Sequence, residues 1–117
     1  MARILSVSYD ELLLSTRELI LHNRGHKVVS ALGFTKALKH CQSRNKFDLF
    51  ILGHSIPHSH KEFLIAAFRN CSSAPVIALT KYGERPVHGA DFQIEPNPEE
   101  FLKLVEKLTS DKANAAG

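Results

Sequence analysis

A chain of 117 residues has room for one domain with a single core. Its 44% hydrophobic and 23% charged residues are ordinary for a globular protein, and it holds no run of about 18 apolar residues that could span a membrane. The net charge is +3, but the densest basic group, Lys36, Lys39, Arg44 and Lys46, is spread along and after one helix, without the clustered stripe that a nucleic-acid partner requires.

Arg3 to Val7 reads as a short apolar strand. It follows Met1-Ala2 directly, without the charged region, apolar stretch and cleavage site of a signal peptide, so the expected location is the cytoplasm. Ser8-Tyr9-Asp10-Glu11 is a Ser-x-x-Glu capping box, with Ser8 as N-cap, and opens a helix that runs to about Asn23. Leu12, Leu13, Thr16, Leu19 and Ile20 share one face of that helix, and Gly25 stops it. Lys27 to Ala31 is a second strand, and Phe34 to Gln42 a second helix with Ala37, Leu38 and Cys41 inward.

Leu49 to Leu52 is apolar throughout, as suits a central parallel strand covered on both faces. A helix from about Lys61 to Asn70 follows, with Phe63, Leu64, Ala67 and Phe68 as its stripe. Pro75 to Leu79 is the fourth strand and Asp91 to Ile94 the fifth. The last helix, Pro98 to Leu108, has Pro98 in its first turn and Phe101, Leu102, Val105 and Leu108 inward. Cys41 and Cys71 are isolated and read as small buried hydrophobes rather than a disulfide. Residues 1–109 form the domain and residues 110–117 a frayed tail.

Strands alternating with helices predict an α/β fold, a single doubly wound five-stranded parallel sheet. Its site belongs at the carboxyl ends of the strands, where Ser8-Tyr9, Gly53-His54, Thr80-Lys81 and Glu95-Pro96 fall.

Taken together, these residues resemble a response-regulator receiver domain over about residues 3 to 108. The resemblance rests on Ile4-Leu5-Ser6-Val7 before an acidic turn, Gly25 before Val28-Val29, Ala37-Leu38, Asp48-Leu49, and Pro57 after the central strand. Pro75-Val76-Ile77-Ala78-Leu79-Thr80, Gly89-Ala90-Asp91 and Pro96-Asn97-Pro98-Glu99-Glu100-Phe101 complete it. It implies flavodoxin-like topology with strand order 2-1-3-4-5. It also places the family's working residues: the acidic metal-binding pair on Ser8 and Tyr9 with Asp10 one step later, the phospho-acceptor aspartate on Gly53, the hydroxyl on Thr80 and the lysine on Glu95. Of these only Thr80 matches. Eight residues separate Thr80 from Gly89, among them Gly83 and Pro86, so the family's fourth helix should be shortened or lost.

Thr80 reads as a strand-end hydroxyl bonded to nearby backbone. Glu95 either pairs with Lys81 across the old pocket or is a solvated charge. Tyr9 either fills the vacated acidic pocket with its ring or is exposed. His54, His58 and His60 share one loop, with His88 across from them, and are candidate metal ligands, although their spacing lacks the pattern of a strong zinc motif.

The resemblance therefore implies a non-phosphorylatable receiver-like module, not an enzyme and without a cofactor. Its partner would be a protein of a two-component pathway, with a homodimer also open. The alternative is a small metal-binding protein or metal-dependent enzyme built on His54, His58 and His60. A nucleotide or flavin binder would need a Gly-rich turn after the first strand, and Ser8-Tyr9-Asp10-Glu11 has no glycine and two acidic residues.

Overall fold

A computed structural model describes residues 2–43 and 46–116, with side chains as far as Ser110. Arg44, one of the basic group above, and Gly117 lie outside the described residues. The chain runs β1 (Arg3–Ser8), α1 (Glu11–Asn23), β2 (Lys27–Leu32), α2 (Phe34–Gln42), β3 (Leu49–Leu52), α3 (His58–Cys71), β4 (Val76–Leu79), β5 (Phe92–Ile94) and α4 (Pro98–Ala116). The strands form one parallel sheet in the order β2-β1-β3-β4-β5, as expected. No helix among the described residues is long and apolar enough to cross a membrane.

Alternating strand residues supply two cores, because successive side chains leave a sheet on opposite faces. Leu5, Val7, Phe50, Leu52, Val76 and Ala78 pack with Ala37 of α2 and with Leu64, Ile65 and Phe68 of α3. Ile4, Leu49, Ile51, Ile77 and Leu79 pack with Leu21 of α1 and with Phe101 and Val105 of α4. Both faces of β3 and β4 are covered, which explains their uninterrupted apolar sequences.

Two helices turn differently from their apolar patterns. In α1 the buried residues are Leu14, Arg17 and Leu21, while Leu12 and Leu19 are 75% and 62% exposed. In α3 they are Lys61, Leu64, Ile65 and Phe68, while Phe63 faces solvent. The inward stripe has i, i+3 and i+7 spacing in α1 and i, i+3, i+4 and i+7 spacing in α3, and each admits one cation. α3 also begins at His58, a turn earlier than expected, directly after Pro57.

No helix forms between β4 and β5, and turns carry the chain from Thr80 to Asp91. Gln93 accepts from Val87 N at 2.7 Å, Glu62 accepts from His88 N at 2.8 Å, and Val87 is buried, so the short connection is tied down. The structure also joins Cys41 and Cys71 in a disulfide, with Cα atoms 6.1 Å apart, which corrects the reading of both as unpaired. They are 30 residues apart in sequence and meet because α2 and α3 pack on the same sheet face.

Candidate functional site

Ser8 ends β1, and Gly53 and Thr80 directly follow β3 and β4; the three strands are adjacent, so these residues fall together at the carboxyl edge of the sheet. β1 stays extended through Ser8, which is fully buried, so the helix cap falls further on. Asp10 is the N-cap: its Oδ1 accepts from Leu13 N at 3.0 Å. The capping box expected of Ser8 and Glu11 is thus corrected. The Ser8 hydroxyl instead donates to Asp10 O and accepts from Asp10 N, both at 3.0 Å, and lies 3.1 Å from the Ser55 hydroxyl. Ser55 in turn accepts from Tyr9 N at 3.1 Å.

Tyr9 does not fill the vacated pocket. Its hydroxyl lies 2.9 Å from His60 Nδ1, and its ring packs with the core on the α2–α3 side. Arg17 takes the space instead. A Cβ on Gly53 would stand 2.8 Å from Arg17 Nη1, and 3.1 Å from Val7 O. Arg17 is only 8% exposed, its buried Nη1 has no hydrogen-bond partner, and Nη2 donates to His54 Nδ1 at 3.3 Å. Burial pulls the Arg17 pKa below its ordinary value, with Asp10 opposing. Burial also lowers His54, and the positive charges of Arg17, Lys61 and Lys81 push it the same way.

Thr80 is buried, and its amide and hydroxyl both donate to Ile94 O of the neighbouring strand, at 2.9 and 3.4 Å, so its hydroxyl bonds backbone across the sheet rather than locally in the chain. Glu95 and Lys81 are both exposed, and no ion pair joins them among the described residues. Lys61, fully buried, reaches both oxygens of Glu84 at 2.9 Å, and His58 Nδ1 lies 3.0 Å from Oε2. Lys81 N also donates to Glu84 Oε1 at 3.1 Å. Burial opposes ionisation of Glu84, but the bonds from Lys61, His58 and the Lys81 amide outweigh it and hold the carboxyl below its usual range. Glu84 thereby pins the β4–β5 connection onto α3.

The three histidines do not converge. His54 meets Arg17, His58 lies between Glu62 and Glu84, and His60 meets Tyr9. No group of three His, Cys, Asp or Glu residues among those described is arranged to hold a metal ion. Magnesium does not fit the carboxyl edge either. It prefers oxygen ligands with one or two carboxylates, whereas here Asp10 caps a helix, Ser8 serves backbone and Ser55, and a guanidinium covers Gly53.

Arg17, Ser55, Lys61 and Glu84 were not among the expected site residues. For Arg17 and Lys61 a signal existed, namely a cation at a position that continues an apolar stripe: Leu14-Arg17-Leu21 and Lys61-Leu64-Phe68.

No protein-family model and no curated protein matches the sequence. Solved structures do match. Response regulator protein TrrA from Thermotoga maritima, in complex with magnesium and BeF, is 25% identical, with a TM-score of 0.80 over 92% of this chain and 99% of that one. A chain in the complex of histidine kinase ThkA with TrrA is 26% identical, with a TM-score of 0.77 over 92% and 98%. A two-component response regulator from Clostridium difficile is 22% identical, with a TM-score of 0.79 over 94% and 97%. From β1 to α4, with turns in place of a fourth-position helix, this chain has the fold of the response-regulator receiver domains.

Proposed function

We propose that this chain is a receiver module that does not undergo phosphorylation and acts in the cytoplasm by binding a protein partner in a two-component pathway. One observation carries the reading: the guanidinium of Arg17 lies against Gly53, where the family's acceptor carboxylate would stand. Glycine offers no oxygen to a phosphoryl donor. The cation beside it would also repel a second cation, and Asp10, the carboxylate it feels, is engaged as the N-cap of α1. A receiver without the chemical step holds one conformation, or shifts only through a partner's differential affinity for two states. A protein partner is supported by the ThkA–TrrA complex among the similar structures and by the exposed Leu12 and Leu19, one face of α1.

The test has two arms. Incubation with a small phosphodonor and magnesium should leave the mass unchanged, and a gain of one phosphoryl group on an aspartate would overturn the reading. Capture from the native cell should retrieve a kinase or regulator of a two-component system, and Leu12→Asp/Leu19→Asp should lose it. Retrieval of no such protein would count against the signalling role.

A further inference from the structure

Arg17 also lines a cavity. About 190 Å³ in volume, the cavity lies between α1, the ends of β3 and β4, and the start of α4. Leu13, Ile20, Leu79 and Phe101 give it apolar walls, while Arg17 and His54 supply charge and a polar edge. Phe101 and Leu79 belong to the core behind it, so that wall is rigid.

The charge is out of balance. Among the described residues no carboxylate lies within ion-pair distance of Arg17, and its Nη1 is buried without a partner. Asp10 is near enough to be felt, but its Oδ1 is engaged by the Leu13 amide. Lys61 is matched by Glu84, whereas Arg17 bonds neutral His54 through Nη2 and no counter-charge is bonded to it among the described residues. An unpaired buried charge is expensive, and a guanidinium is best satisfied by the two oxygens of a carboxylate.

We propose that this cavity is a binding site for a small amphipathic monocarboxylate, whose carboxylate pairs with Arg17 and whose apolar body lies against Leu13, Ile20 and Phe101. The volume equals that of roughly six waters at about 30 Å³ each, which suits a benzoate-sized or short-chain acid rather than a nucleotide. An inorganic anion would satisfy the guanidinium but leave the apolar walls wet. The site does not depend on the signalling reading above, since it uses no partner and no phosphoryl chemistry.

The probe is sodium benzoate, titrated into the intact chain at constant ionic strength and followed by amide resonances. The expected result is saturable binding with Kd of about 1 mM or tighter, centred on Leu13, His54 and Phe101. Benzamide, the neutral isostere, and inorganic phosphate should each bind at least about tenfold more weakly, a difference of about 1.4 kcal/mol. Arg17→Met should abolish binding by removing the charge. Ile20→Trp should abolish it by filling the apolar half while leaving the guanidinium, and serves if Arg17→Met does not fold. Absence of benzoate binding, equal affinity for benzamide, tighter binding of phosphate, or binding that survives either substitution would overturn the proposal.

Discussion

Arg17 Nη1 lies where the side chain of residue 53 would begin, 2.8 Å from the position of a Cβ on Gly53. The guanidinium and the missing side chain thus account for each other: the cation can be buried there because residue 53 is glycine. Gly53 carries no positive φ, so the space rather than the backbone limits what can replace it. The end of an arginine side chain can shift by a few tenths of an ångström, and a carboxylate at residue 53 would give Nη1 the partner it lacks. Gly53→Asp should therefore be more stable than Gly53→Ala by about 1–3 kcal/mol in denaturant unfolding. The difference should vanish in an Arg17→Met background. Gly53→Asp should still gain no phosphoryl group from a small phosphodonor with magnesium, because the new carboxylate is neutralised and no second one is free beside it.

Buried Lys61 and partly buried Glu84 form a charge pair in this corner. Glu84→Gln leaves Lys61 buried without its counter-charge and should cost about 3–5 kcal/mol. Adding Lys61→Met should recover much of that loss, since no uncompensated cation then remains. The β4–β5 connection should show faster amide exchange in Glu84→Gln, as its tether to α3 is gone. Additive losses in the double variant would refute the coupling.

The strands were legible from the sequence because apolar runs and short connections fix a parallel sheet, and their order was implied by the resemblance to receiver domains. The loss of the fourth helix was legible because eight residues with Gly83 and Pro86 cannot sustain one. Helix faces were less so. A reading that follows apolar residues alone turns α1 toward Leu12 and Leu19, whereas the helix buries Arg17 between Leu14 and Leu21. The histidines misled for a geometric reason. His58 and His60 fall inside α3, where two residues are about 200° apart, so they reach opposite sides. The cysteine pair and the Glu84 contact are long-range and leave no local pattern.

Glu95 and Lys81 give a contrasting expectation. Both are exposed and no ion pair joins them. Glu95→Gln and Lys81→Met should each stay within about 0.5 kcal/mol of the parent and add independently in chemical denaturation. A coupling beyond that would reveal a pair across the old pocket.

The Cys41–Cys71 bridge closes a loop of 30 residues between α2 and α3. Chain-entropy reasoning gives such a closure about 3–4 kcal/mol. A thiol assay on the denatured, unreduced chain should find no free thiol. Dithiothreitol should lower Tm, and Cys41→Ser and Cys71→Ser should lower it by the same amount and lose the response to reductant. Two titratable thiols without reduction would contradict the bridge.

The final expectation concerns acid. Burial lowers the pKa of His26, with Glu106 partly offsetting it, and both its ring nitrogens lack partners; burial and nearby cations lower His54. Below the unfolded value of about 6.5 the unfolded chain binds protons that the folded chain refuses, so protonation favours unfolding. The contribution of these histidines is fully present above that value and is lost as pH falls from it through the lower folded values. Tm should therefore drop between about pH 6.5 and pH 5 more steeply than between about pH 8 and pH 6.5. His26→Phe keeps a ring at a site where neither nitrogen is bonded, and it removes the titration. It should flatten the acid limb and exceed the parent's stability at about pH 5. An unchanged slope in His26→Phe would show that other groups set the acid response.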